Sequence, residues 1–323
     1  MLYPLKFKPR LKERIWGGDK LGAVLGKTVF PREKIGESWE ISGVQDDLSV
    51  ITNGFLKDNN LQEVIEIYMD EIVGEANYEK YGIEFPILVK FIDAHDVLSI
   101  QVHPDDELAK ERHHSYGKTE MWYVIDCMPG ASLYVGFNRQ VSREEYLQAV
   151  KCGTLPSLLQ KIEVSPGDAY FIPAGTIHAI GKGLLIAEIQ QTSDITYRVD
   201  DWGRVDAQGH PRELHTDLAV DAIDFSKPQN YNITHKPVIG QAVNLKTCDH
   251  FTTNIVQVEG SVTRDYSDLD SFVIYSCLSG KAEMTWGSGE KEILTQGDTV
   301  LVPAQLNEIT LQGNVTFLEV WLK

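Results

Sequence analysis

The sequence predicts a mainly β fold, made of two copies of one antiparallel β unit with short helical insertions. Three observations point there. Most of the chain reads as short runs of alternating side chains between Gly, Pro, Asn and Asp turns. Helical spacing of apolar residues is confined to a few segments. The third is a repeat: PGDAYFIPAGTIHAI at 166–180 aligns with QGDTVLVPAQLNEIT at 296–310, an offset of 130. Gly167-Asp168 matches Gly297-Asp298, and Pro173-Ala174 matches Pro303-Ala304. Upstream, YVIDCMPGA (123–131) aligns with IYSCLSGKA (274–282) at an offset near 150. The two offsets differ by the size of a helical insert at 142–162, which the second copy lacks.

The elements follow in order. LQEVIEIYMDEIVGEA, 61–76, has apolar residues at helical spacing and predicts a helix ending near Gly74. VLSIQVHPDDE, 97–107, predicts a strand with Ser99, Gln101 and His103 on one face and Ile100 and Val102 on the other. If the polar face looks inward, something must bond it, because burying unpartnered polar groups is costly. His95 falls in the turn before that strand. HPDDELAKERHH, 103–114, predicts a short helix with acids at its start and bases near its end, matching the helix dipole. SREEYLQAVKCGTLPSLLQKI, 142–162, predicts a helix capped by Ser142, a turn over Gly153–Pro156 and a second helix. The chain divides into an N-terminal unit, 1–240, and a smaller C-terminal unit, 241–323.

Composition narrows the partners. The chain has 323 residues, with 47 acids against 30 bases and a formal net charge of −17. That balance argues against nucleic acid and anionic membrane surfaces, but not against a small anion held by a local cluster of cations. No apolar run reaches membrane-span length, and the N-terminal stretch has no signal-peptide core. The four cysteines form no CxxC pair and read as reduced thiols of a cytoplasmic protein.

GD-x4-PA-x3-H, ending at His178, resembles the second motif of the cupin fold, a small jelly-roll-like β-barrel. The resemblance implies that Gly-Asp makes the turn into a strand and that His178 points into the barrel towards a metal. In the second copy Glu308 stands where His178 would be, so two cupin barrels are implied, the second degenerate and without chemistry. Gln101, His103, Glu120 and His178 are then the candidate ligands of the first barrel. Two imidazoles, a carboxylate and an amide oxygen suit Zn²⁺ or another first-row divalent ion, one per chain. With one charged ligand the ion would keep net positive charge and act as a Lewis acid.

Longer blocks make the resemblance specific. RIWGG, ESWEIS, FPILVKFIDAHDVLSIQVHPDD, GKTEMWYVI, YFIPAGTIHAI and SDITYRVDDWGR are similar, in the same order, to the signature blocks of type I mannose-6-phosphate isomerases of the compact bacterial kind. The blocks run over about 14–204. The family reaction is an aldose–ketose isomerisation of a sugar phosphate, mannose 6-phosphate to fructose 6-phosphate, through an enediol(ate). It needs a proton carrier, a stabiliser of negative oxygen and an anchor for phosphate.

Lys118, two residues before Glu120, would face the same cavity, and the resemblance favours a role for it in proton transfer or substrate orientation. The resemblance implies a catalytic role for Arg198, with Asp194 orienting it or the substrate, and places Lys90 and Ser99 among the substrate-binding residues, at the phosphate. Where the family has Tyr-Asp before its Trp, this chain has Asp200-Asp201. The implied protein is a cytoplasmic enzyme, monomer or homodimer, with a small-molecule sugar phosphate as its partner. The residues alone leave open another sugar-phosphate cupin isomerase and a non-catalytic sugar-binding bicupin.

Overall fold

Two antiparallel sheets face each other in the N-terminal unit. The first runs Arg10–Gly18, Ile35–Ile41, Ile87–Ala94, Leu184–Gln191, Glu120–Cys127, Ala169–Ile172. The second runs Tyr197–Asp200, Ile100–Val102, His178–Ile180, Ser132–Phe137, Leu159–Glu163. The coordinates are a computed structural model that describes residues 1–28, 34–205, 208–226 and 228–322. Among the described residues no helix is long and apolar enough to cross a membrane.

The C-terminal unit is built on one seven-stranded sheet, in which Glu308–Trp321 lies between Val273–Trp286 and Thr252–Asp265. One edge of this sheet is contributed by the start of the chain, Leu5–Lys6, which pairs with Thr299–Val302; the other edge is Ala242–Thr247. The architecture is cupin-like and mainly β, as expected. Among the described residues no strand pairing closes either unit into a continuous barrel.

Alternation sets the layers. On the central strands of the six-stranded sheet, Ile92, Trp122, Val124 and Ile186 face inward and meet Leu133 and Val135 of the opposite sheet. The intervening residues Val89, Phe91, Met121 and Ile189 face outward and pack with Ile255, Ile274 and Leu318 of the C-terminal sheet. This sheet is buried on both faces, which is why its strands read as nearly continuous apolar runs. Beneath the five-stranded sheet, the helices Arg143–Cys152 and Thr216–Ala222 bury Tyr146 and Ala219 against Ile100, Val102 and Ala179.

The repeat is structural. Gly167 and Gly297 both have positive φ, 96° and 89°, the region that favours glycine. In each copy the following aspartate closes the turn: Asp168 Oδ2 accepts from Ser165 N at 2.9 Å, and Asp298 Oδ2 from Thr295 N at 2.8 Å.

Two helix expectations need correction. The first is not one helix: the segment breaks at Met69 into Leu61–Tyr68 and Asp70–Val73, the second of which ends at Gly74 as expected, and a further helix, Glu75–Tyr81, follows; Met69 and Gly74 both take positive φ. The second half of 142–162 is not a helix. After Arg143–Cys152, with its Ser142–Glu145 capping box, Gly153 turns left-handed and the chain enters a short 3-10 turn and the strand Leu159–Glu163. Pairing with Ser132–Phe137 overrides the local pattern there.

The two units share a further correspondence. In the first, Glu188 on the middle strand pairs across with Lys90 and Trp122. In the second, Glu319 on the middle strand pairs across with Asn254 and Tyr275. Glu319 is sealed: Arg264 donates to both its oxygens at 3.0 and 3.1 Å, Tyr266 and Tyr275 donate at 2.6 Å each, and Asn254 donates at 3.0 Å. Removing one partner of a buried ion pair leaves an uncompensated charge, so Arg264→Ala should cost roughly 3 kcal/mol or more. Denaturant unfolding checks this, and an unchanged midpoint would refute it. Glu308, by contrast, is exposed at the end of its strand opposite Asp265. Glu308→Gln should leave the midpoint of denaturant unfolding at its wild-type value, and turnover unchanged in a steady-state assay.

Candidate metal centre and substrate cavity

The five-stranded sheet sets three site residues in one row. Gln101 is the register partner of His178 on one side and of Arg198 on the other. His103 follows directly after this short strand. Across the interior, Glu120 opens its strand on the six-stranded sheet, opposite Gln190 and Ile172. The alternation read in the sequence therefore holds: Gln101 looks into the space between the sheets, while Ile100 and Val102 are buried beneath.

His103, Glu120 and His178 bring one donor atom each within 4.8 Å of one another, all three buried. Both imidazoles are oriented from behind. His103 Nδ1 lies 2.8 Å from the Ile195 carbonyl and His178 Nδ1 2.8 Å from the Thr176 carbonyl. A carbonyl only accepts, so each Nδ1 carries the proton and each Nε2 turns a lone pair inward. Those Nε2 atoms sit 3.3 and 3.8 Å from the Glu120 carboxylate. Backbone bonds to the distal nitrogen are the usual way a histidine ligand is held.

Glu120 supplies the sharpest observation. It is 1% exposed, and neither of its oxygens has a hydrogen-bond partner. Lys118 Nζ lies 3.1 Å from Oε1, close enough for charge attraction but off the line of a hydrogen bond. Burial pushes the Glu120 carboxyl up, but Lys118, His103 and His178 outweigh it and hold it well below the usual carboxylate range. Burial and Lys118 push His103 down to about 3, and burial lowers His178. The cluster is thus a neutral imidazole pair around an ionised carboxylate with unused lone pairs, a donor set that fits a divalent cation. Gln101 Nε2 lies 3.3 Å from His178 Nε2; turning the amide over would present its oxygen instead.

In front of the cluster lies a cavity of about 470 Å³. Lys90, Ser99, Gln101, Lys118, Glu120, Asp194 and Arg198 all line it. Lys118 Nζ is 3.3 Å from His103 Nε2. Arg198 donates from one terminal nitrogen to the Glu213 carbonyl at 2.9 Å, while its buried Nε has no partner. Lys90 is buried with Nζ 3.1 Å from Glu188. Burial opposes its charge, but Glu188, Glu37 and Glu120 raise its pKa.

Several lining residues were given no role by the sequence reading. Glu188 is 2% exposed, and burial together with the Glu120 charge pushes its carboxyl up to about 8. Its signal was available: Glu188 interrupts the otherwise apolar start of LLIAEIQQ, a strand buried at every position. Arg14 forks onto Glu37 at 3.2 and 3.0 Å, and Trp39 donates to the same carboxylate at 2.8 Å. Arg212 lies at the edge, bound to Asp201 at 2.8 and 2.6 Å. These residues sit in RIWGG, ESWEIS and the stretch after DDWGR, where nothing local marks a cavity wall.

Comparison with known proteins decides the family. Residues 4–123 match the type I phosphomannose isomerase catalytic domain, and residues 241–322 match the mannose-6-phosphate isomerase cupin domain. Mannose-6-phosphate isomerase ManA of Bacillus subtilis (strain 168) is 38% identical over 314 residues, 96% of each chain.

The chain belongs to the type I phosphomannose isomerase family.

A mannose-6-phosphate isomerase of Streptococcus mutans (serotype c) is 36% identical over 98% of each chain. The crystal structure of the Bacillus subtilis mannose 6-phosphate isomerase superposes with a TM-score of 0.88 at 33% identity, covering 99% of both chains. Phosphomannose isomerase of Salmonella typhimurium, at 17% identity and a TM-score of 0.80, shares the fold. In this family member the buried His–Glu–His cluster and the cavity before it belong to the N-terminal unit.

Proposed function

We propose that this phosphomannose isomerase family member interconverts mannose 6-phosphate and fructose 6-phosphate in the cytoplasm, as a monomer or homodimer, with one divalent ion per chain. Gln101, His103, Glu120 and His178 would hold the ion, zinc being the expected one. When bound, it supplies Lewis-acid polarisation of the sugar's oxygen atoms. The observation that carries the reading is Glu120: a fully buried carboxylate with two unbonded oxygens, faced by two imidazole lone pairs and flanked by Lys118.

The rest falls to the chain's own side chains. Isomerisation removes a proton from C2, forms an enediolate and returns a proton at C1. Lys118 is assigned that transfer: as a neutral amine it would take the C2 proton, and as the resulting ammonium return it at C1, while the hydroxyl proton passes from O2 to O1; its Nζ hangs beside the cluster, 3.1 Å from Glu120, on the segment leading to that strand. Arg198, fixed through the Glu213 carbonyl, offers its remaining N–H donors to the negative oxygen that develops. Lys90, Ser99 and Asp194 bind and orient the substrate. The N-terminal unit, 1–240, carries the chemistry and the C-terminal unit, 241–323, supports it.

The cavity lining sets six cations, Lys12, Arg14, Lys90, Lys118, Arg198 and Arg212, against five acids, Glu37, Asp47, Glu120, Glu188 and Asp194, so the site is not acidic although the chain carries a net charge of −17, and the field that matters to a dianion is local. Incubation with mannose 6-phosphate and coupled detection of fructose 6-phosphate tests the reading. Tight binding without turnover would replace it with a sugar-phosphate receptor.

A further inference from the structure

The three residues leading into the Glu120 strand are held from outside the substrate cavity. Gly117 N donates to Asp106 Oδ1 at 2.8 Å. Lys118 N donates to the Pro104 carbonyl at 3.1 Å. Thr119 N donates to Gln191 Oε1 at 2.9 Å. The two side chains are themselves joined, Gln191 Nε2 donating to Asp106 Oδ1 at 2.8 Å. One carboxylate oxygen therefore gathers both the Gly117 amide and the Gln191 amide. Gly117 also lies so close to the Asp105–Asp106 backbone that a Cβ there would come within 2.6 Å of it. His250, from the C-terminal unit, stands 3.9 Å from the other Asp106 oxygen.

None of this touches substrate. Asp106 and Gln191 line a separate cavity on the far side of the segment, with Lys80, Tyr81, Tyr116 and His250, and neither lines the cavity in front of the cluster. Lys118 has its neighbouring amides on both sides fixed by one bonded side-chain pair, and Gln191 is only 5% exposed. A backbone anchored at three successive amides has little freedom to rotate, and the direction of the Lys118 side chain follows the backbone that bears it.

We propose that Asp106 and Gln191 are positioning residues for Lys118, a linked pair that sets where its side-chain nitrogen stands relative to Glu120 and the reacting carbons. The inference rests on the role proposed above for Lys118. Without the pair, the 117–119 segment keeps the Pro104 contact and the bonds that the Thr119 carbonyl and hydroxyl accept from Gln191 N and Ala174 N, but the amides on either side of Lys118 lose their acceptors and its fixed aim goes with them, whereas the metal ligands and substrate contacts stay.

The test is steady-state kinetics with mannose 6-phosphate on full-length protein, with metal content and melting temperature measured in parallel. Displacing a catalytic group by about an ångström costs on the order of 10- to 100-fold, so Asp106→Ala should lower kcat by that factor, with KM and metal content close to wild type. Asp106→Asn keeps the oxygen that takes both bonds and should retain near wild-type kcat. Gln191→Met, similar in volume, should lose kcat as Asp106→Ala does, and the double variant should be no worse than the poorer single, since the pair acts as a unit.

A wild-type kcat in Asp106→Ala, equal losses in Asp106→Ala and Asp106→Asn, or a loss that appears in KM or metal content would each overturn the inference. If Asp106→Ala does not fold, Gln191→Met decides by the same criteria. Wild-type protein that fails to turn over mannose 6-phosphate would overturn the proposed function and this inference with it.

Discussion

Lys118→Ala and Arg198→Ala should each retain bound metal and lose turnover. Deleting a general acid or base costs roughly 10²–10⁴ in rate, and deleting a fixed charged stabiliser costs on the order of 10²–10³. The loss should fall on kcat far more than on KM, because neither group is asked to carry ground-state binding alone. Lys90→Ala should show the reverse emphasis, mainly a higher KM for the phosphorylated sugar. The cavity geometry gives the comparison its meaning. Lys118 stands 3.1 Å from Glu120 and Arg198 shares a sheet row with Gln101, so both are close to the cluster without belonging to it. Near wild-type kcat in both alanine variants would remove the proposed proton-transfer chemistry and leave a metal site without assigned partners.

The second large effect is on the ion itself. His178 is buried, held through Nδ1 by the Thr176 carbonyl, and its Nε2 faces Glu120. Changes to outer partners of a metal ligand already weaken metal binding by about 10- to 100-fold, so losing the ligand in His178→Ala should cost at least about 100-fold. Elemental analysis after dialysis should find the variant nearly metal-free, and activity should follow metal content. A His178→Ala protein that keeps one equivalent of ion would dismiss the ligand assignment, whatever its activity.

Much of this centre was legible in the sequence because strand geometry is simple. A period of two puts Ser99 and Gln101 on one face, and the resemblance of the GD…PA…H segment to the cupin motif implies that His178 points into the same interior. The sequence could not give the depth of the walls. Glu37, Trp39 and Glu188 reach the cavity through pairings between strands far apart in the chain, such as Trp39 with Lys90 and Lys90 with Glu188. No local pattern carries those registers. The same limit explains the misread stretch at 159–162. LLQKI has a spacing that suits a helix, and only the neighbouring strand Ser132–Phe137 makes it extended.

The pairing of Leu5 with Leu301 has a consequence for how the polypeptide reaches its final form. During synthesis Leu5–Lys6 leaves the ribosome long before Thr299–Val302 exists, so this short strand must wait, uncommitted, until nearly the whole chain has been made. The entropy of closing so long a loop rises only slowly with length, so the delay is one of timing more than of equilibrium. A nascent or truncated chain lacking the C-terminal sheet would leave Leu5 unpaired and strip the outward residues Val89, Phe91 and Met121 of the cover given by Ile255, Ile274 and Leu318. Those surfaces mark the interval in which the chain is most exposed to aggregation and to chaperone capture.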